Sequence, residues 1–86
     1  MISYIKEYIE SLDKDKLNNL LVKNNISLNS DELNILFNHI KSDWYDFIYE
    51  DPNPILNDIE NRINKDSYNK LFEVYKKAKE KYSIYL

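Results

Sequence analysis

The sequence predicts an all-α fold: a compact, single-domain bundle of about five short-to-medium helices that covers residues 1–86. Apolar residues recur three and four positions apart along nearly the whole chain, as expected for helices with one buried face. No segment alternates between apolar and polar residues for long, and the absence of glycine disfavours the tight turns of β-hairpins. A chain of 86 residues has room for one hydrophobic core only.

The first two helices are predicted from apolar stripes and from the residues at their ends. One face of the first helix carries Ile2, Ile5, Ile9 and Leu12. Asp13 is a suitable N-cap for a second helix, because its side chain can accept a hydrogen bond from a free backbone N–H group. Three leucines of that helix are expected to face the core: Leu17, Leu20 and Leu21. Asn24 and Asn25 suit its C-terminal end, since asparagine tolerates left-handed backbone geometry.

The third helix has the clearest start signal. Asn29 as N-cap places Glu32 at the third helical position, which is a capping-box arrangement. Leu28 and Leu33 stand where a hydrophobic staple would hold the entering chain. These four residues predict a helix that begins directly after Asn29.

A single apolar stripe predicts how far the third helix extends. Its members follow a period of about 3.6 residues and are Leu33, Leu36, Phe37, Ile40, Trp44, Phe47 and Ile48. The stripe favours an unbroken helix to about Glu50. The alternative is a break at Lys41–Asp43, where Ser42 or Asp43 would cap a new short helix.

Prolines and asparagines mark the last two helices. Pro52 disfavours further helix before it, and Asn53 followed by Pro54 predicts an N-cap with proline at the first helical position. The core positions of this fourth helix are Ile55, Leu56, Ile59 and Ile63. Asn64 is expected to close it, and Asp66 or a neighbour to open the fifth. The buried stripe of the fifth helix is Tyr68, Leu71, Phe72, Tyr75, Ala78 and Tyr82.

Composition excludes several classes of protein. The chain has no cysteine, which excludes disulfides, thiolate metal sites and cysteine catalysis. Apolar residues near the N-terminus are spaced rather than continuous, and acids enter at Glu7, so neither a signal peptide nor a membrane span is expected. We therefore expect a cytoplasmic protein with no membrane contact.

Charge is distributed unevenly along the chain. The net charge is −3, but residues 29–60 hold eight acids and one lysine, whereas residues 61–86 hold seven bases and three acids. Such polarity can steer a partner or a second copy of the chain. The simpler interpretation is two solvated faces of opposite sign.

Two stretches carry a resemblance to a known family: "SLDKDKLNNLLVKNNISLNSDELNILFNHIK" and "ILNDIENRINKDSYNKLFEVYKK". Together they resemble a small, functionally uncharacterised helical family of low-GC Gram-positive bacteria, over about residues 10–77. The shared features are a Leu-Leu helix, a capped helix after an Ile-x-Leu step, and an aromatic-rich terminal helix. The resemblance implies a bacterial, cytoplasmic, all-helical domain, and the family has no activity to transfer.

One strip of the third helix combines the only histidine with three carboxylates: His39, Asp43, Asp46 and Glu50. Imidazole and carboxylate groups can ligate a divalent cation. However, the strip is about 16 Å long at 1.5 Å per residue, so no single ion could touch all four side chains. A solvated acidic face is predicted here, and no metal site.

Catalysis is not expected. A nucleophilic serine needs a base and a group that orients the base, and His39 would have to serve any serine in the chain. Without glycine there is no loop that could cradle phosphate groups. We predict a protein with no enzymatic activity, no cofactor and no small-molecule substrate.

A thin basic stripe lies along the fifth helix at Lys70, Lys77 and Lys81. These lysines could meet phosphate groups, with Tyr82 or Tyr85 available for base stacking. The overall charge of −3 lacks the basic footprint of a nucleic-acid-binding domain, so nucleic acid is the less favoured partner. A third hypothesis is a mobile-element protein whose acidic residues 29–60 mimic nucleic acid.

Three apolar or aromatic residues lie opposite the core stripe of an unbroken third helix: Ile35, Tyr45 and Tyr49. Amphipathic rings bordered by carboxylates are typical of protein–protein contact surfaces. The alternative is that the first or second helix covers them. The leading hypothesis is a non-enzymatic adaptor or regulatory domain whose partner is another protein, or a second copy of the chain.

Overall fold

Five α-helices make up most of the part of the chain that the structure describes. The computed structural model describes the backbone of residues 2–82 and the side chains of residues 4–80. The helices are α1 (Ile2–Ser11), α2 (Lys14–Lys23), α3 (Ser30–Tyr49), α4 (Asn53–Arg62) and α5 (Lys65–Tyr82). The described residues include no strand, so the all-α prediction is confirmed. The radius of gyration is 12.4 Å, close to the value of about 12 Å expected for a compact domain of this length.

A few predicted side chains fall outside the described ranges: Ile2, Lys81, Tyr82 and Tyr85.

Capping residues start and end the helices largely where the sequence indicates. The Asp13 carboxylate accepts a hydrogen bond from the Lys16 N–H group at 2.8 Å. Asn29 and Glu32 form the predicted capping box, with N···O distances of 2.8 and 3.0 Å. Asn25 adopts a φ of 61° after the end of α2, the left-handed geometry that asparagine tolerates.

Helix α3 is unbroken over its 20 residues. At 1.5 Å per residue it is about 30 Å long, which matches the longest dimension of the molecule, 32 Å. The alternative of a break at 41–43 is wrong. Ser42 caps no new helix, because its hydroxyl donates to the Asn38 carbonyl within α3 at 2.8 Å.

Two helix ends differ from the prediction. The residue that caps α4 is Pro52 rather than Asn53, and the Asp51 carboxylate accepts the hydrogen bond of the Asn53 N–H group at 3.0 Å. Asn64 does not close α4, whose last residue is Arg62 and whose C-cap is Ile63. Instead, the Asn64 side chain accepts a hydrogen bond from the Ser67 N–H group at 2.8 Å and so caps α5.

The core draws mainly on the predicted stripes of α2 to α5, together with Leu12 after α1 and with Ile26, which no stripe included. The stripe residues that are half-buried and lie outside this core include Ile5, Ile9, Trp44 and Ile48. The buried members of the core are Leu12, Leu17, Leu21, Ile26, Leu36, Ile55, Leu56, Ile59, Ile63 and Tyr68. Leu20 was expected among them, but it is 40% exposed. Helix α2 is a short peripheral helix that packs against α3. Its Leu17–Leu21 row faces inward, and this leaves Leu20 at the margin of the contact.

Helix α3 is the central element, because α1, α2 and α4 all pack against it, and α5 packs on α4. The Lys41 ammonium group donates to the Ile9 and Glu10 carbonyls at 2.7 and 3.0 Å. Farther along the chain, the Lys14 ammonium group lies 5.8 Å from the centre of the Phe37 ring. The segment from the end of α1 to the start of α2 therefore runs antiparallel to α3. This direction places α1 beside the C-terminal half of α3.

Candidate functional site

The C-terminal half of α3 carries three aromatic rings, which we call the tyrosine cluster: Trp44, Tyr45 and Tyr49. The Tyr45 and Tyr49 ring centres are 5.0 Å apart, and the Trp44 ring meets Tyr45 edge-on at 5.8 Å. Tyr45 is 45% exposed, whereas Trp44 and Tyr49 are half-buried. The first two helices therefore do not cover Tyr45, and it is the accessible part of the cluster.

Tyr49 is an architectural member of the cluster. Its hydroxyl is buried and has no hydrogen-bond partner among the described residues; a buried hydroxyl left without a partner costs about 1–3 kcal/mol. The half-buried ring packs against Tyr45 and thereby orients it. The sequence groups the two tyrosines together, but only Tyr45 is accessible to a partner, whereas Tyr49 packs beneath it.

Helix α1 adds further aromatic surface that sequence reasoning missed. Tyr4 and Tyr8 are 76% and 53% exposed, and they lie on the helix beside the C-terminal half of α3. The sequence does indicate this surface. The two tyrosines are four residues apart, so they lie on one face of α1, and that face is not the one that carries the isoleucines.

Ile35 does not join the tyrosine cluster. It lies ten residues before Tyr45, or about 15 Å along the helix axis. There it is half-buried and lines an open concavity of about 470 Å³ between α3 and α4. The other lining residues are polar: Asp31, Asn34, Asn38, His39, Ser42, Asp43 and Arg62. This polar surface is separate from the aromatic one.

His39 forms a bridge between two helices at the edge of that concavity. Its Nδ1–H group donates to the Asp43 carboxylate at 2.9 Å, and its Nε2–H group donates to the Asp58 carboxylate of α4 at 2.6 Å. Arg62 donates to the same oxygen of Asp58 at 3.1 Å. Because both partners are carboxylates, only the protonated imidazole, which has an N–H group on each ring nitrogen, can donate to both of them.

The pKa values follow from these contacts. Partial burial lowers the pKa of His39, but the hydrogen bonds to Asp58 and Asp43 outweigh it, so the pKa is raised above its ordinary value. The hydrogen bonds from His39 and Arg62 lower the pKa of the Asp58 carboxyl. Each charge therefore stabilises the other.

The predicted acidic strip separates into two parts. His39 and Asp43 belong to the bridge, whereas Asp46 and Glu50 are exposed and lie farther along α3. Among residues with described side chains, no group of three or more histidine and acidic side chains could hold a metal ion. Neither ring nitrogen of His39 is free to accept a proton from a serine hydroxyl, since both donate to carboxylates.

The predicted basic stripe is not an open row of lysines. The Lys70 ammonium group donates to the Asn25 carbonyl at 3.0 Å and pairs with Asp66 at 3.2 Å. It therefore ties α5 to the end of α2. Lys77 is exposed, and the Lys81 side chain lies outside the described residues.

Helix α5 meets α3 at Phe47, which lies about 200° round the helix from Tyr45 and Tyr49. The Tyr75 hydroxyl donates to the Phe47 carbonyl at 3.2 Å, and the two ring centres are 4.4 Å apart. The Lys79 ammonium group lies 5.8 Å from the centre of the Tyr75 ring. The basic end of α5 therefore stands beside the C-terminal end of α3.

Asp58 and Arg62 were missing from the predicted site. Their spacing of four residues on α4 indicates an ion pair, but the link from Asp58 to His39 spans 19 residues and depends on how α3 and α4 pack. That contact has no local signal in the sequence.

No protein-family model matches the chain, and neither a curated protein nor a solved structure shows significant similarity to it. Within the described residues, none of the helices is both long enough and apolar enough to cross a membrane. The functional inference therefore depends on the surfaces described above.

Proposed function

We propose that this chain is a non-enzymatic, cytoplasmic interaction domain that binds another protein through the outer face of α3. Its role would be that of an adaptor or regulator. The observation that supports this most directly is the tyrosine cluster, in which the exposed Tyr45 ring contacts the rings of Trp44 and Tyr49. Contacts with neighbouring rings restrict the rotamers of Tyr45 in the free chain, so less conformational entropy is lost when a partner covers it.

The surroundings of the cluster also suit a protein partner. Tyr4 and Tyr8 present two further exposed rings on α1, and Asp46 and Glu50 are exposed acids on the same helix as Tyr45. An aromatic centre with a charged rim is the usual composition of protein–protein interfaces. Single exposed apolar residues, by contrast, are common on any protein and indicate nothing.

Affinity capture from the cells that produce the protein tests this proposal. The tagged wild-type chain is compared with Tyr45→Ala and with Val22→Ala, a matched control because Val22 is 59% exposed on α2. Tyr45→Ala should lower the affinity for the captured partner about tenfold or more, as expected for an aromatic residue at an interface centre. Val22→Ala should bind like the wild type.

Both substitutions alter exposed side chains, so both variants should keep the helical circular dichroism of the wild type. Equal capture by Tyr45→Ala and the wild type would contradict the proposal. Equal loss of capture in the two variants would also contradict it, because the contact would then lie elsewhere.

A further inference from the structure

The concavity between α3 and α4 contains two side chains with unused hydrogen-bonding capacity. Asn34 is half-buried and Asn38 is exposed, and neither side-chain amide has a hydrogen-bond partner among the described residues. The His39 ring, by contrast, is engaged on both sides by Asp43 and Asp58. A primary amide has two N–H donors and a carbonyl acceptor, so Asn34 and Asn38 can each donate to and accept from a bound molecule.

These amides lie on the same face of α3 as the exposed Tyr45 ring. At about 100° per residue, four side chains fall within about 80° of one another around the helix axis. We call them the outer strip: Asn34, Asn38, Ser42 and Tyr45. The concavity and the tyrosine cluster share no residue, but they follow each other along this strip, because Ser42 stands less than one helical turn before Tyr45.

The spacing of the outer strip suits an extended peptide. Asn34, Asn38 and Ser42 follow each other at steps of four residues, or about 6 Å along the helix axis. In an extended chain, the groups that point to one side repeat every two residues, at about 6.6 Å. Its backbone N–H and C=O groups need partners, whereas a helix satisfies most of its own. The asparagine amides therefore favour an extended segment over a helix.

The charges around the outer strip favour a basic segment. Asp31 near its start and Asp46 near its end are exposed, and neither forms an ion pair with a described side chain. Two bases border the strip, but Lys41 donates to backbone carbonyls of α1 and Arg62 pairs with Asp58. Unpaired carboxylates attract lysine and arginine side chains and repel the phosphate groups of nucleic acids.

We infer that the segment bound on the outer face of α3 is an extended, basic stretch of another protein. Asn34 and Asn38 form hydrogen bonds to its backbone, and Tyr45 packs against one of its side chains. Its lysine or arginine side chains pair with Asp31 and Asp46. The inference rests on the proposed function and deepens it, because it gives the chemistry of the partner that the same face binds.

Selection from a displayed library of random peptides tests the inference, with the full chain as bait. Peptides of about ten residues are long enough, since Asp31 and Asp46 are about 22 Å apart along the helix axis. The enriched sequences should contain an excess of lysine and arginine over the starting library. The most enriched peptide should bind the wild type several-fold more weakly when the salt concentration is raised from about 50 to about 500 mM, because salt screens exposed ion pairs.

A double variant locates the binding site of this peptide. Asn34→Ala combined with Asn38→Ala removes both amides and should weaken binding about tenfold. The matched control combines Asn57→Ala with Asn61→Ala, because these asparagines are exposed and also four residues apart, but lie on α4 outside the concavity. The control should bind like the wild type. Alanine is the better helix former, so both double variants should keep the helical circular dichroism.

Three results would overturn the inference: no enrichment, enrichment of acidic peptides, or equal binding of the enriched peptide to the two double variants. Each of them is distinguishable from failure of the proposed function, which is shown by equal capture with Tyr45→Ala and the wild type. A captured protein whose binding depends on Tyr45 but not on Asn34 and Asn38 would retain the proposed function and remove the extended peptide.

Discussion

His39 is the only histidine of the chain, and it links α3 to α4 through two charge-assisted hydrogen bonds. A neutral imidazole has one N–H group, so loss of the proton leaves a lone pair facing one of the carboxylates. The charge of a single residue therefore affects how two helices are held together.

The bridge predicts a pH-dependent stability. Since the pKa of His39 is raised on folding, its contribution is fully present below the unfolded value of about 6.5 and is lost as the pH rises through the folded value. The lowered pKa of Asp58 has the opposite pH dependence. Its contribution to stability is present above about pH 4 and is lost as the pH falls through the pKa that Asp58 has in the folded state. The urea midpoint should therefore be higher at pH 6 than at pH 8.

His39→Gln provides the control for this experiment. Glutamine does not titrate, so the variant should show a much smaller difference between the midpoints at pH 6 and pH 8. An NMR titration of the one imidazole in the chain gives the folded pKa directly. A value at or below 6.5 would contradict the account of the bridge.

At the scale of the helices, the start of α3 is held by more than its own cap. The Glu32 carboxylate accepts hydrogen bonds from the Asn29 N–H group at 3.0 Å and from the Asn64 N–H group at 2.5 Å. These contacts lower the pKa of Glu32, with the Asn29 bond as the largest cause. One side chain thus joins the first turn of α3 to the junction of α4 and α5.

Glu32→Ala should destabilise the domain by about 2 kcal/mol, since it removes half of the capping box and leaves the Asn64 N–H group without its acceptor. Asn29→Ala removes the N-cap side chain and should cost about 1 kcal/mol. Asn19→Ala, at an exposed position in α2, is the control and should change stability by less than about 0.5 kcal/mol. Urea denaturation measures all three. Equal effects of Glu32→Ala and Asn29→Ala would show that the link to Asn64 contributes nothing.

The helices were largely predictable from the sequence because their determinants are local. The caps at Asp13 and Asn29 and the left-handed Asn25 each depend on residues within four positions, and all three predictions are confirmed. The prediction for Asn64 was wrong, because an asparagine suits the end of one helix and the start of the next equally well.

The site was less predictable, because its contacts join distant parts of the chain. The side of α3 on which Tyr45 lies follows from the helical period alone, once the helix is known to be unbroken. By contrast, the His39–Asp58 bond, the Lys70–Asn25 bond and the buried Tyr49 hydroxyl depend on how helices pack. Periodicity shows which face is outward but not which outward side chains another helix engages.

At the scale of the whole molecule, we propose that α3 both organises the core and carries the surface that binds a partner. Its inner face contributes Leu36 to the core and contacts three other helices. Its outer face presents the exposed Tyr45 ring, and the same helix carries the exposed acids Asp46 and Glu50. We propose that a protein partner covers the exposed Tyr45 ring.

Photo-crosslinking in the producing cells tests this claim most directly. A photoreactive phenylalanine derivative replaces Tyr45 in one variant and Val22 in another, since both positions are exposed. The account predicts a discrete crosslinked species of defined mass from position 45, either a dimer of the chain or a complex with one other protein, and none from position 22. The same species from both positions, or no crosslink from position 45 alone, would contradict it.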